Sequence, residues 1–139
     1  MKKVQYWLIP CLFLIGFSCK KYIQNQEQKQ ALAILTDGDW YVSGYEQNDS
    51  NITASFSGYL FKFDANNTVT ATNGTLSATG QWSDNIAALT ITTDFPGASA
   101  PLVDLNETWK ITDSYTDSVA ATSTDTLRHT TNILQLKKQ

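Results

Sequence analysis

The chain has 139 residues and a formal net charge of −3, which suits a single domain. It is too weakly basic for a nucleic-acid partner and too weakly acidic for a disordered chain. Abundant Thr, Ser, Asn and Asp, with scattered aromatic residues, favour an all-β domain. The two cysteines, Cys11 and Cys19, both lie near the N-terminus, so the body of the chain has no disulfide framework.

The first residues have the pattern of a targeting signal. Met1-Lys2-Lys3 is a basic start, and the apolar run from Val4 to Phe17 has the length of a signal-peptide core. This run is short for a membrane span, which needs roughly 20 apolar residues. Gly16-Phe17-Ser18-Cys19 resembles a bacterial lipoprotein signal, in which the cysteine after a small residue becomes lipidated. An ordinary secretory signal is the alternative, although the sequence has no Ala-x-Ala cleavage site.

The lipoprotein resemblance implies removal of residues 1–18 and lipidation of Cys19. Several acyl chains would anchor the protein almost permanently, since each buried CH₂ contributes about 0.8 kcal/mol. The next residue is Lys20 rather than Asp, which by the same resemblance implies the outer membrane. We therefore expect a lipid-anchored envelope protein that faces the periplasm.

Residues 19–37 are expected to form a tether and a short helix. The stretch from Lys20 to Lys29 is polar, and a short apolar stripe follows it. This stripe predicts a helix from Gln26 to Leu35, and Gly38 ends it. The barrel domain is assigned to residues 38–139.

Alternating apolar residues then predict a series of strands separated by turn residues. In the first half, the residues expected to face inward are Trp40, Val42, Gly44, Ile52, Ala54, Phe56, Tyr59, Phe61, Phe63, Val69, Ala71, Ala78, Gly80 and Trp82. The inward phase changes at Gly58, where a bulge or bend is expected. Turns are predicted at Asp64–Asn67, Asn73-Gly74 and Asp84-Asn85.

The second half contains the longest irregular stretch. Residues 95–101 hold two of the three prolines and predict a mobile loop over one end of the fold, with Leu102 and Val103 as lid residues. A strand is expected to follow, with Leu105, Glu107, Trp109 and Ile111 in one phase. In the last segment, Asn132 is a candidate break, and Leu134 and Leu136 are expected to face inward.

These patterns predict an antiparallel up-and-down β-barrel of about eight strands with a short N-terminal helix. The chain resembles the small lipocalin-like lipoproteins of Bacteroidota. The resemblance rests on Gly38-Asp39-Trp40-Tyr41 at the first strand, Gly80-Gln81-Trp82-Ser83 near the middle, and the late Trp109. The family also implies that a late arginine, here Arg128, packs on Trp40 as a cation–π pair. A solvated Arg128 is the alternative, and the middle Thr-Asp-Tyr motif of typical lipocalins is absent.

No catalytic or metal-binding pattern stands out. His129 is the one histidine, and beside an arginine and two threonines it is typical of a surface residue. Paired His or Cys ligands, a glycine-rich phosphate loop and a basic patch interleaved with aromatic residues are not found. We therefore expect no enzyme activity, no cofactor and no nucleic-acid partner.

Two functions remain open. The first is a binder of a small apolar or amphipathic ligand, which requires a real cavity. Its candidate lining residues are Trp40, Tyr59, Phe61, Trp82 and Trp109. The second is an envelope accessory or protein-interaction domain with a packed barrel, whose tryptophans fill the core and whose loops do the work. It predicts no cavity and an exposed apolar patch on the 95–101 loop.

Overall fold

The computed structural model describes Gln26 and residues 29–139. The predicted signal peptide, Cys19 and most of the predicted tether lie outside the described residues. Helical backbone is present at Gln26 and over residues 29–33, and a 3₁₀ helix continues from it at Ile34–Thr36. This is where the sequence predicted a short helix. Among the described residues, no helix is both long and apolar enough to cross a membrane.

The strands form one closed, antiparallel, up-and-down barrel, as predicted. Their bounds are β1 Asp39–Gln47, β2 Ser50–Asn51, β3 Leu60–Phe63, β4 Thr68–Asn73, β5 Leu76–Asn85, β6 Thr90–Asp94, β7 Thr108–Ser114, β8 Ser118–Asp125 and β9 Thr130–Lys138. Each strand from β3 onward pairs with the next, β1 pairs with β3, and the β1–β9 pairing closes the ring. The two-residue β2 pairs only with the end of β1. Closure matters because it leaves the eight long strands with no free edge.

Period-two alternation places the core inside the ring. In β8, for example, Val119, Ala121 and Ser123 are buried and their neighbours are less so. The inward phase predicted for β3, β4, β5 and the end of β9 is confirmed. It comprises Phe61, Phe63, Val69, Ala71, Gly80, Trp82, Leu134 and Leu136, all of which are buried.

The near end is the end of the barrel where β1 begins, and the N-terminal segment covers it. Leu32 and Leu35 are buried in the core. The Ser114 hydroxyl at the end of β7 donates to the Ala31 carbonyl at 3.4 Å. The Trp40 indole N–H donates to the Leu35 carbonyl at 3.0 Å. These contacts join the segment that precedes the barrel to the barrel itself.

The far end is the opposite end, and two short 3₁₀ helices cover it, Thr53–Phe56 and Leu102–Leu105. The strand predicted over residues 52–56 is therefore wrong. The Thr53 hydroxyl accepts a hydrogen bond from the Tyr45 N–H at 2.9 Å, which holds the first of these helices against β1. Gly58 forms the predicted bend rather than a bulge within a strand. It lies with φ +82° in the turn that leads into β3.

Two predictions, one inward assignment and one strand break, are corrected by the register of β9. A bulge between Val42 and Gly44 shifts the phase of β1, so Tyr45 rather than Gly44 faces the core. Asn132 is not a break but a fully paired strand residue, 1% exposed. The sequence did not reveal the bulge, because a bulge depends on which residues of the partner strand are opposite.

Candidate functional site

The barrel centre contains an apolar void of about 40 Å³. Its lining residues are Leu35, Phe61, Phe63, Val69, Ile91, Thr93, Phe95, Leu105, Trp109, Ile111, Val119, Ala121, Leu134 and Leu136. One water molecule needs about 10–15 Å³ of such space, whereas pockets for drug-sized ligands measure about 300–1,000 Å³. The barrel interior is therefore filled mainly by its own side chains.

Two of the five predicted ligand-binding residues, Phe61 and Trp109, line this void. Their rings also contact neighbouring core groups. Phe61 packs edge-to-face on Phe95, with ring centroids 6.5 Å apart. The Trp109 indole N–H donates to the Leu105 carbonyl at 3.1 Å. Both residues are 2% exposed, so they form part of the packed core.

Trp40 closes the near end rather than lining the void. Its side chain is fully buried, and its indole N–H is bonded to the Leu35 carbonyl. The predicted cation–π pair with Arg128 is wrong. The ammonium of Lys138 lies over the Trp40 ring instead, 5.5 Å from the ring centroid. Trp40 and Lys138 are direct partners in the β1–β9 pairing, whereas Arg128 precedes β9 at the far end.

Trp82 fastens the turn between β3 and β4. Its indole N–H donates to the Asp64 carbonyl at 2.9 Å, and its ring packs edge-to-face on Phe63 with centroids 5.8 Å apart. The Asn67 amide donates to the Trp82 carbonyl at 3.0 Å. These contacts assign Trp82 to the closure of the near end, away from the void.

Tyr59 lies on a separate surface groove of about 270 Å³ at the far end. Leu76, Ala98 and Leu102 line the same groove. The five predicted residues therefore do not share one pocket. Sequence reasoning grouped them because all are large and aromatic, but that property does not distinguish a core position from a site.

The loop predicted over one end is closed on itself by Asn106. The Asn106 side chain accepts from the Phe95 N–H at 2.7 Å and donates to the Phe95 carbonyl at 3.3 Å. Phe95 and Leu102 are buried, while Val103 is 44% exposed. Phe95, Leu102 and Leu105 are thus turned inward, as in a compact Ω-loop. Residues 95–101 expose no large apolar side chain, so the structure does not show the exposed apolar patch predicted for this loop.

Arg128 lies in the exposed turn between β8 and β9. The Asp125 carboxylate accepts hydrogen bonds from the backbone N–H groups of Leu127 and Arg128, at 2.8 and 3.1 Å. These two bonds hold the pKa of Asp125 below its usual value, and the bond from the Arg128 N–H has the larger effect. The Arg128 side chain is 80% exposed, with its Nε 3.6 Å from the Asp125 carboxylate. His129, next in the turn, is also exposed and has φ +53°.

A polar pocket of about 220 Å³ lies at the far end, beside this turn. We call it the far-end pocket, and it is lined by Gln47, Val103, Asp104, Asn106, Glu107, Arg128 and Thr130. Tyr45 contacts the wall of this pocket, since the Tyr45 hydroxyl donates to the carbonyl of Asp104 at 2.7 Å. Burial raises the pKa of Tyr45, and the negative charges of Asp104 and Glu107 raise it further.

Two buried polar residues lie next to the far-end pocket, Ser123 and Asn132. They are direct partners across β8 and β9. The Ser123 hydroxyl donates to the Glu107 carboxylate at 3.0 Å. Of the side-chain polar atoms buried within the described part of the chain, Asn132 Oδ1 is the one without a hydrogen-bond partner. Sequence reasoning missed this site, although Asn132 shares the inward phase of Leu134 and Leu136, which is an unusual place for an amide.

Comparison with known proteins extends to the fold alone. No family model and no curated protein matches the chain. A crystal structure of a DUF4847 family protein from Bacteroides vulgatus is similar, with a TM-score of 0.55 and 13% sequence identity. The match covers 77% of this chain and 96% of that chain. The chain is therefore similar in architecture to a barrel protein from Bacteroides.

Proposed function

We propose that this chain is an envelope lipoprotein, anchored through Cys19, whose packed barrel serves as an accessory or protein-interaction domain. The proposal that the barrel is packed rests on the small size of the central void, about 40 Å³. A void of this size has no room for a lipid tail or another drug-sized ligand. The working surface is therefore assigned to the outside of the barrel.

The three barrel tryptophans support the same proposal. The indole N–H groups of Trp40, Trp82 and Trp109 each donate to a backbone carbonyl within the domain. A buried indole N–H that already has a partner offers no polar contact to a ligand. Each side chain is accounted for by the closure and packing of the barrel.

The direction of the chain suggests which end would do the work. The helical segment over residues 29–33 precedes β1 and contacts the near end. A lipid on Cys19 would therefore tether the protein from the near-end side. The far end, with the 95–106 loop and the turn before β9, would face away from the membrane. We place the anchor in the outer membrane and the domain in the periplasm, and we assign it no catalysis, cofactor or nucleic-acid partner.

Lipidation is tested by expressing the full chain in a bacterial host and fractionating the envelope. We expect the wild-type protein in the outer-membrane fraction, with an N-terminal peptide that begins at Cys19 and carries a diacylglyceryl mass. The Cys19→Ser variant should lack that mass. A wild-type protein that is released without lipid would contradict the anchor but not the packed barrel.

A second candidate function is the binding of a small apolar ligand. Two features of the void favour it: most of the side chains that line the void are apolar, and the void lies at the barrel centre. It requires the barrel to expand. Native mass spectrometry of residues 19–139 carrying Cys19→Ser, after exposure to envelope lipid extract, separates the two candidates. The packed barrel predicts the unliganded mass alone.

A matched pair of variants sharpens this test. Ala121 lines the void, whereas Ala120, the preceding residue of β8, faces outward. If a discrete ligand mass appears, Ala121→Val should abolish it and Ala120→Val should retain it. A ligand mass with this pattern would replace the packed-barrel proposal with the binder.

A further inference from the structure

The outer face of the barrel has a groove of about 210 Å³, which we call the outer groove. Its lining includes Ser118 and Ala120 of β8, which have short side chains. Gln135 and Lys137 of β9 line it on one side, and Asp113 of β7 lines it on the other. Because β8 lies between β7 and β9, the two sides belong to strands roughly 10 Å apart. The groove therefore lies over β8, between side chains of its two neighbours.

A β-bulge in β7 brings Asp113 to this groove. The register of β7 against β8 shifts between Ile111 and Asp113, so Thr112 is the extra residue. Trp109 and Ile111 are buried, and strict alternation from them would also turn Asp113 inward. Asp113 is instead exposed and lines the outer groove. Bulges that re-aim a side chain in this way are frequent next to functional sites.

The bulge in β1 lies in the same row of the sheet. It is opposite Gln135, which pairs with Ala120 of β8, and Ala120 pairs in turn with Asp113. Ser43 is the extra residue of β1, and its hydroxyl donates to the Gln135 carbonyl at 3.2 Å. Ser43 also lines the outer groove. The two bulges of the barrel wall thus contribute residues to one groove.

The outer groove holds one anion and one cation that do not pair with each other. Across the described part of the chain, neither Asp113 nor Lys137 takes part in a salt bridge. One carboxylate oxygen of Asp113 accepts from the N–H of Ser114 at 3.0 Å. Both charged side chains belong to exposed residues. The other Asp113 oxygen and the Lys137 ammonium are therefore open to a ligand in the groove.

Tyr115 adds an aromatic surface to the same groove. It lines the groove and is 61% exposed. Its backbone N–H donates to the Ser118 carbonyl at 2.8 Å, which fixes the turn between β7 and β8. An aromatic ring held in this way offers apolar contact to a ligand that also meets the two charges.

We propose that the outer groove binds a small zwitterion of the α-amino acid class. Its ammonium group donates to the Asp113 carboxylate, and its carboxylate accepts from the Lys137 ammonium. A carboxylate only accepts and an ammonium only donates, so a ligand with one group of each kind satisfies both sides. A simple anion or cation would leave one side without a partner. This inference goes beyond the proposed function and depends on neither the lipid anchor nor a protein partner.

The test uses L-leucine and two analogues that each keep one of its charges. N-acetyl-L-leucine retains the carboxylate, and L-leucinamide retains the ammonium. Each is titrated at constant ionic strength into residues 19–139 carrying Cys19→Ser while amide NMR shifts are recorded. We expect saturable shifts at Ser118 and Ala120 with L-leucine, and a Kd about fivefold higher for each analogue, the scale of one exposed ion pair. Equal affinity for the three compounds, or no saturable shift with L-leucine, would overturn the proposal.

Variants assign each charge of the ligand to its partner. Asp113→Asn keeps the shape of the side chain and removes its charge, so it should raise the Kd for L-leucine about fivefold and leave that for N-acetyl-L-leucine unchanged. Lys137→Met should raise the Kd for L-leucine by a similar factor and leave that for L-leucinamide unchanged. A variant that weakens all three compounds equally would contradict this assignment.

Matched controls separate the groove from the net charge of the protein. Lys62→Met on β3 and Asp84→Asn on β5 remove the same charges from exposed residues outside the groove lining. Both are expected to leave the Kd for L-leucine unchanged. An equal loss of affinity in the controls and in the groove variants would overturn the proposal.

Discussion

The hydroxyl of Tyr45 donates a 2.7 Å hydrogen bond to the carbonyl oxygen of Asp104. This bond joins β1 to the 3₁₀ helix Leu102–Leu105, which is remote in sequence. The Tyr45 ring also stacks on Phe56, with centroids 5.1 Å apart, so one side chain contacts both 3₁₀ helices at the far end. The far end is thus held closed by a residue that only the bulge in β1 turns inward.

We expect Tyr45→Phe to lower the free energy of unfolding by about 1–3 kcal/mol, because it leaves the partly buried carbonyl of Asp104 without its donor. Urea denaturation measures this change. Tyr41→Phe is the control, since Tyr41 is 38% exposed on the same strand. An equal loss in the two variants would mean that the Tyr45 hydrogen bond contributes nothing specific.

Lys138 and Arg128 should differ in their contribution to stability. Lys138 lies over Trp40 and also donates to the Asp37 carboxylate at 3.0 Å, so Lys138→Met is expected to cost about 0.5–2 kcal/mol. Arg128→Met removes an exposed side chain and should change stability by less than about 0.5 kcal/mol. Thermal unfolding at low and high salt measures both. A larger loss at Arg128 would contradict the assignment of the cation–π pair to Lys138.

Gly80 should tolerate no side chain, whereas Gly44 should. A Cβ at Gly80 would lie 2.4 Å from the Asp94 carbonyl oxygen and 2.8 Å from the Phe95 ring. Gly80→Ala is therefore expected to cost about 1–3 kcal/mol or more through overpacking. At Gly44 the nearest atom is Oε1 of Gln135 at 2.8 Å, at the end of a flexible side chain that can move away. Denaturant unfolding should show Gly44→Ala to be the milder change, and the reverse order would contradict this packing.

The pKa of Asp125 in the folded protein should lie below 3.8, its ordinary value, because two backbone N–H groups bond to its charged form. A group with a lower pKa in the folded state stabilises the protein above the unfolded pKa. That contribution is lost as pH falls through the folded pKa. A pH titration of the carboxyl carbon by NMR measures the value. A pKa at or above 3.8 would contradict the observed turn geometry.

The barrel itself was largely readable from the sequence, because alternation reports which residues face inward. Phe61, Phe63 and Val69 were placed correctly by this rule alone. The rule failed where a partner changes the local geometry. The bulge after Val42 and the 3₁₀ helix at Thr53–Phe56 both depend on contacts that the local sequence does not display.

The candidate site was harder to predict for the same reason. The aromatic residues that were assigned to a ligand cavity are of the same types as those that fill a packed core. Only the size of the central void distinguishes a ligand cavity from a packed core. Asp104 lies in the 3₁₀ helix Leu102–Leu105, and Glu107 lies in the loop that precedes β7. Asn132 lies in β9. No local motif relates these residues to one another.

The sequence by itself determined the alternation of inward and outward residues along most strands, since side-chain direction in a strand is a local property with a period of two. The prediction of a lipid anchor at Cys19 also rests on the sequence alone, because it follows from the basic start and the apolar run before that cysteine. The tertiary structure decided which residues meet across the ring. It placed Lys138 rather than Arg128 over Trp40, and Asn132 beside Ser123, because the register of β9 is set by its pairing with β1 and β8.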